Sequence, residues 1–192
     1  MRYFFYLCLI SLLTACLGAH RPAPESAVYD FGLPDEAARI DTSVDIGRIT
    51  AVDAIDHRRM RYRLQYQNPT QVHTYTQSRW SDSPAALIAS KLHSSVNPSK
   101  SAACAIHLEI ESFDQIFTSP ETSSGIVRLH VTLYAKASRQ NLHSHMLQAS
   151  APAPSADSRG GVAGLHEASK EALKQALQWA DTTAAQTAAC AL

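Results

Sequence analysis

Nine histidines, four cysteines and two tryptophans are the residues through which this chain could do chemistry. Spacing decides what each can do. His143-Ser144-His145 would place two imidazoles on one face of a strand, about 7 Å apart. Zinc can use such a pair together with a third ligand. No third ligand stands at a recognisable spacing, so the two read as surface histidines of a strand, and neither a metal nor a cofactor is expected. Asp30-Phe31-Gly32 spells the magnesium motif of protein kinases, but the glycine-rich nucleotide loop and the catalytic loop that give it meaning are missing. It reads as a strand end before Pro34. Gly160-Gly161-Val162-Ala163-Gly164 stands before a helix, where backbone amides could face an anion. Without the G-x-G-x-x-G spacing it reads as a flexible loop and helix start. There is no G-x-S-x-G elbow, C-x-x-C pair or H-E-x-x-H motif, and the scattered carboxylates offer no acid–base pair. No catalytic residue is nominated, and the chain is not expected to be an enzyme.

Cysteine remains. Arg2 is followed by an apolar run from Tyr3 to Leu13, roughly half of the ~20 residues a membrane-spanning helix needs. It has the length of the apolar region of a secretory signal. Leu13-Thr14-Ala15-Cys16 closes it, with small residues that let an extended backbone enter a peptidase groove. This tetrapeptide resembles the lipobox of bacterial lipoproteins. The resemblance implies that the Cys16 thiol receives a diacylglycerol, that residues 1–15 are removed, and that the new amine is acylated, with palmitate as a typical chain. An ordinary signal peptide with an incidental cysteine is the alternative. Each buried methylene contributes about 0.8 kcal/mol, and several chains on one residue anchor a protein far more firmly than one. Leu17 stands where an aspartate would be the familiar inner-membrane retention signal, which favours the outer membrane.

Cys8 is lost with the signal, which leaves Cys104 and Cys190 in a compartment that permits disulfides. Pairing them is the expectation; a loose tail carrying Cys190 is the alternative. A bridge would contribute about 2–4 kcal/mol. The chain holds 17 Lys and Arg against 17 Asp and Glu with no basic run, so nucleic acid is not an expected partner. Its length suits a signal (1–15), a lipidated tether (16–27) and one domain (28–192). Pro22 and Pro24 disfavour helix in the tether.

Several elements can position these residues. Strands are expected at 28–33, 44–55, 60–66 and 72–80, the last two forming a hairpin across Asn68-Pro69. Ser83 should accept a hydrogen bond from the first free amides of a helix over 84–96, and Pro84 suits its first position. Ile88, Leu92 and Val96 give it an apolar stripe. Cys104, Ile106, Leu108 and Ile110 alternate with polar residues, and Phe113 breaks the phase, which predicts a bulge. Val127, Leu129, Val131, Leu133 and Ala135 form the opposing strand, and 142–150 a third. A long alanine-rich helix is expected over 161–180. The fold class is therefore α/β of the α+β kind: a mixed, largely antiparallel sheet packed by two main helices in a single domain. Two roles suit Trp80 and Trp179: covering the edge of the core, or, for Trp80 beside Arg79, contacting a partner.

The segment YRLQYQNPTQVHTYTQSRWSDSPAALIASKL resembles the central signature of the ABC-type transport auxiliary lipoprotein family, the PqiC-like lipoproteins. The matching positions are Tyr62-Arg63, Tyr75, Arg79-Trp80 and Pro84. LEIESFDQIF resembles the family's acidic strand before a phenylalanine, and a long closing helix bears Trp179. The likeness spans residues 28–180. It implies an outer-membrane lipoprotein, facing the periplasm, that docks the periplasmic Mce-domain protein of an ABC transporter moving lipids between the membranes. Arg79 and Trp80 would contact that partner, and homo-oligomer formation is left open. A lipoprotein that itself carries an acyl chain in an apolar cavity is the alternative. An envelope hydrolase fits worst, because no nucleophile–base pair can be named.

Overall fold

The computed structural model describes residues 25–33 and 39–191. Cys16, the signal and most of the tether lie outside the described residues. In chain order the elements are β1 (Ala27–Tyr29), β2 (Ile40–Thr42), β3 (Asp45–Ala51), β4 (Arg59–Leu64), β5 (His73–Trp80), α1 (Pro84–Ser95), β6 (Val96–Pro98), β7 (Cys104–Phe117), β8 (Ser123–Ala135), β9 (Asn141–Pro152) and α2 (Ser158–Ala185), followed by a 3-10 turn, Ala188–Cys190.

The main sheet runs β1-β5-β4-β7-β8-β9, with β3 also paired to β7. β7 is long enough to serve two neighbours end to end along one side. Its first half pairs in parallel with β3, from Asp45↔Ala105 to Ala51↔Ile110, and its second half with β4, from Tyr62↔Gln115 to Leu64↔Phe117. Along its other side β8 runs antiparallel, and β9 continues the meander. The β4–β5 hairpin is antiparallel, as its alternation and Asn68-Pro69 imply. This is a mixed, largely antiparallel sheet with two helices in one α+β domain.

Alternation sets the two faces of the sheet. Ile106, Ile110, Val127, Leu129, Val131 and Leu133 are fully buried beneath the helices. The register shifts between Ile110 and Ser112, so Glu111 is the extra residue of a bulge and Phe113 returns to the inner face, as its broken phase predicts. Fully burying an aliphatic side chain contributes about 1.5–3 kcal/mol, so this face holds most of the stability.

α1 starts at Pro84, but Ser83 makes no side-chain cap, contrary to expectation. Its amide instead donates to Asp82 Oδ1 at 2.7 Å, which ties the turn locally. Val96 continues the apolar stripe yet is already extended, at φ −130° and ψ 139°, and begins β6. β2 and β6 form a small parallel pair, Ile40↔Val96 to Thr42↔Pro98. Three-residue strands carry no readable period, which is why the pattern does not announce them.

α2 begins earlier than expected, because Asp157 accepts from the Gly160 amide at 2.8 Å and caps it. The run Gly160–Gly164 lies wholly inside the helix, which starts at Ser158 and not at the expected 161, so no flexible loop remains at the glycines. The glycines permit close approach: a Cβ on Gly161 would strike the Gln115 amide, and a Cβ on Gly125 would strike the backbone of Gly164 and Leu165. Ala168, Ala172, Ala176 and Ala180, all 0% exposed, continue this contact along the helix. The first strand is shorter than expected. After Tyr29, Asp30 Oδ1 accepts from the Gly32 amide at 2.8 Å, and Gly32 takes φ +71°, which turns Phe31 into the core.

Candidate functional site

Cys104 and Cys190 are joined by a disulfide spanning 86 residues. It ties the turn after α2 to the start of β7, so the chain's end is held against the sheet.

Trp80 does not present a surface. It is 1% exposed and packs edge-on against Phe31 and Phe113, with ring centroids 5.8 and 5.5 Å away. Its assignment as a partner-binding residue is therefore corrected: β5 alternation turns Trp80 inward, leaving Arg79 outward and exposed. Arg79 lies directly across from Arg59 in the β4–β5 register. Neither guanidinium has a carboxylate within 4 Å among the described residues. Arg58 donates through Nε to Trp80 O at 3.2 Å, so a third arginine stands at the same corner. Like charges directly opposite on a sheet are destabilising, so this corner is suited to an anionic partner.

The signature residues resolve into two structural clusters. On the inner side Tyr62 packs on Tyr75 at 4.7 Å between ring centroids. The Tyr75 hydroxyl donates to Gln115 Oε1 at 2.9 Å. Burial chiefly, and Tyr62 beside it, push the Tyr75 pKa up, so the hydroxyl stays protonated as the donor. Gln115 Nε2 in turn donates to Ser123 Oγ at 2.8 Å and Asp157 O at 3.2 Å. One buried amide thus links β5, β7, β8 and the start of α2. On the outer side Arg61 and Arg63 converge on Asp114, which is 3% exposed. Arg61 Nε lies 2.8 Å from Oδ1 and Arg63 Nε 3.4 Å from Oδ2. Arg61 Nε and Asp114 Oδ1 are not aligned as a hydrogen bond, but Arg61 Nη2 and Arg63 Nε both donate to Asp114 Oδ2 at 3.4 Å.

The histidines are largely occupied by packing. His107 Nδ1 accepts from the Arg48 amide at 2.8 Å, and its ring stacks on Tyr134 at 4.1 Å. Burial, then the Arg48 charge, lower its pKa, which keeps the ring neutral. Burial and then Lys91 lower that of His166, whose ring stacks on Phe31 at 5.1 Å. His145 stacks on Trp179 at 5.5 Å, so one imidazole of the His143/His145 pair meets an indole. Among the described residues, the one arrangement suited to a cation is different: Glu109, Glu111 and His130 bring ligand atoms within 4.8 Å of one another on the outer face. Sequence reasoning missed it because Glu109 and His130 meet only through the β7–β8 register.

A depression of 680 Å³ is open to solvent along α2. Leu33, Val96, Leu173 and Leu177 contribute apolar surface, while Lys91, Lys170, Lys174, Glu167 and Glu171 add charge around it. Among the described residues no helix is long and apolar enough to cross a membrane.

No family model and no curated protein matches this chain. Solved structures do. A Xanthomonas campestris protein of the family designated DUF330 is 14% identical, covers 83% of this chain and 98% of its own, and superposes with a TM-score of 0.67. A second, described only as an uncharacterized protein, is 11% identical over 81% of this chain and 99% of its own, with a TM-score of 0.59. At these identities the likeness establishes a shared fold, with nearly the whole of each neighbour inside it.

Proposed function

We propose that this protein is a PqiC-like lipoprotein, anchored through Cys16 in the outer membrane, that docks the Mce-domain subunit of an ABC-type lipid transport system from the periplasmic face. The observation that carries this reading is the lipobox at the end of a short apolar signal. The shared fold with a DUF330 protein and the clustering of Tyr62, Arg63 and Tyr75 with Gln115 and Asp114 support it. Docking falls to the arginine corner of Arg59 and Arg79, with Trp80 fixing β5 from within. Acyl chains hold the domain at one membrane while the exposed guanidiniums meet carboxylates of the partner. The alternative, a lipoprotein that itself carries an acyl chain, finds less support. The depression along α2 is open and edged by charge where an acyl chain needs an apolar shelter.

Metabolic labelling with palmitate should mark the native chain and leave a Cys16→Ser variant unlabelled. Crosslinking in cells that express both proteins should then capture the Mce subunit through positions beside Arg79. An unlabelled native chain removes the anchor, and labelling without capture removes the docking role.

A further inference from the structure

The turn at Asp30 and Gly32 sends Phe31 into the core and leaves the next side chain standing out from the fold. Leu33 is 93% exposed and Ile40 40%, and both line the depression along α2. Val96, Leu173 and Leu177 lie beneath them as its apolar floor. Apolar surface rimmed by polar groups marks a contact with a protein or with a membrane.

Three lysines stand around this surface, Lys91 from α1 and Lys170 and Lys174 from α2. Lys170 is held by Glu167 at 3.0 Å, and Glu171 accepts from Gln175 Nε2 at 2.8 Å. Among the described residues, neither Lys91 nor Lys174 has a carboxylate within 4 Å. The rim therefore offers two ammonium groups beside two projecting aliphatic side chains.

We propose that this face seats the domain on a phospholipid bilayer, with Leu33 and Ile40 in the boundary between headgroups and acyl chains and Lys91 and Lys174 on lipid phosphates. The inference rests on the lipid anchor at Cys16 proposed above. Eleven residues separate Cys16 from Ala27, at most about 40 Å of chain, and Leu33 follows the end of β1 by four residues. The anchor therefore brings the start of the fold, and this face with it, to the bilayer. A protein would need a pocket shaped to receive Leu33, whereas an acyl boundary accepts it without one. Lysine stems lie along apolar surface while their ammonium groups reach the headgroups, and the two attractions add at an interface. The helices cover the inner face of the sheet and Arg79 projects from the other. A domain seated in this way turns the arginine corner from the bilayer towards the periplasm.

The test uses the full lipidated chain in phosphatidylethanolamine–phosphatidylglycerol vesicles that contain a nitroxide-labelled phospholipid. Cys104 and Cys190 are bridged, so an introduced cysteine can be labelled alone with a fluorescent dye. A dye at Leu33→Cys should be quenched about threefold more strongly than one at Gln148→Cys, beside Arg128 on the outer face. With the dye at Lys170→Cys, Leu33→Asp and Ile40→Asp together should reduce quenching about twofold. Both side chains are exposed, so the melting temperature should hold. Lys91→Glu with Lys174→Glu should reduce it as well, and most at low salt. Equal quenching at positions 33 and 148 in chains that float with the vesicles would overturn the proposal and leave the anchor standing. A dye at position 33 shielded from aqueous iodide yet untouched by the nitroxide lipid is covered by protein, and overturns it too. Chains that do not float lack the anchor, which removes both readings.

Discussion

The inner and outer faces of the sheet are made by the same strands and hold together by different physics. On the inner face, Ile106, Leu129, Trp80 and the alanines of α2 are removed from water. Its main polar cluster is centred on Gln115, whose amide bonds to Tyr75, Ser123 and Asp157 O. The outer face carries arginines, glutamates and histidines, and its clearest buried polar feature is Asp114 between Arg61 and Arg63. Hydrophobic burial is non-directional and large, whereas exposed ion pairs contribute little. Stability therefore belongs to the inner face, and the outer face is free to be shaped by partners.

The sharpest test of that division is Trp80→Ala. It opens a cavity among Phe31, Phe113 and Trp80's other neighbours, and large-to-small changes of this kind cost about 3–5 kcal/mol. Urea denaturation should show the loss as a lower midpoint with little change in slope. A cost below about 0.5 kcal/mol, the level of an ordinary surface substitution, would mean Trp80 is not the core residue described above, and would return it to the partner surface.

Which parts were legible in the sequence follows the same division. Strands with a buried face announce themselves by alternation: Cys104 to Ile110 and Val127 to Ala135 read correctly, as does the bulge before Phe113. The hairpin, the helices and the Cys104–Cys190 pair are likewise readable. What stays hidden depends on contacts distant in sequence. The start of α2 is placed late, at 161, because glycines weaken a helical pattern until Gln115 and Gly125 are seen pressed against Gly161 and Gly164. Trp80 beside Arg79 looks like a binding pair until β5 alternation turns one of them inward. Gln115 gives no local signal, since a single buried amide earns its place only through partners on three other elements. β2 and β6 are too short for any period.

Asp114 sets the boundary between the two faces, because it is buried but held by charge. Asp114→Asn would leave two guanidiniums facing each other with weaker acceptors. Removing one partner of a buried pair costs about 3–5 kcal/mol. Arg63 is 27% exposed, and water can reach it, so the expected loss is smaller, about 1–3 kcal/mol. Added salt should narrow the gap between native and variant by screening the exposed part of the repulsion. If Asp114→Asn costs as much as Trp80→Ala and ignores salt, the outer face contributes to the core in a way its exposure does not suggest.

The smallest expected effect on stability concerns the arginine corner, and its sign is the informative part. Arg59 and Arg79 face each other across β4 and β5, and like charges so placed oppose folding by about 0.2–1 kcal/mol. Arg79→Ser should therefore raise the melting temperature slightly at low salt, an advantage that fades as ionic strength rises. The same variant should lose crosslinking to the Mce subunit. A residue kept for the fold would show the reverse, lower stability with docking intact. Arg79→Lys separates the two contributions further. It preserves the repulsion, so stability should match the native chain. It also replaces a planar fork that holds carboxylates bidentately with a point charge, so docking should weaken without being abolished.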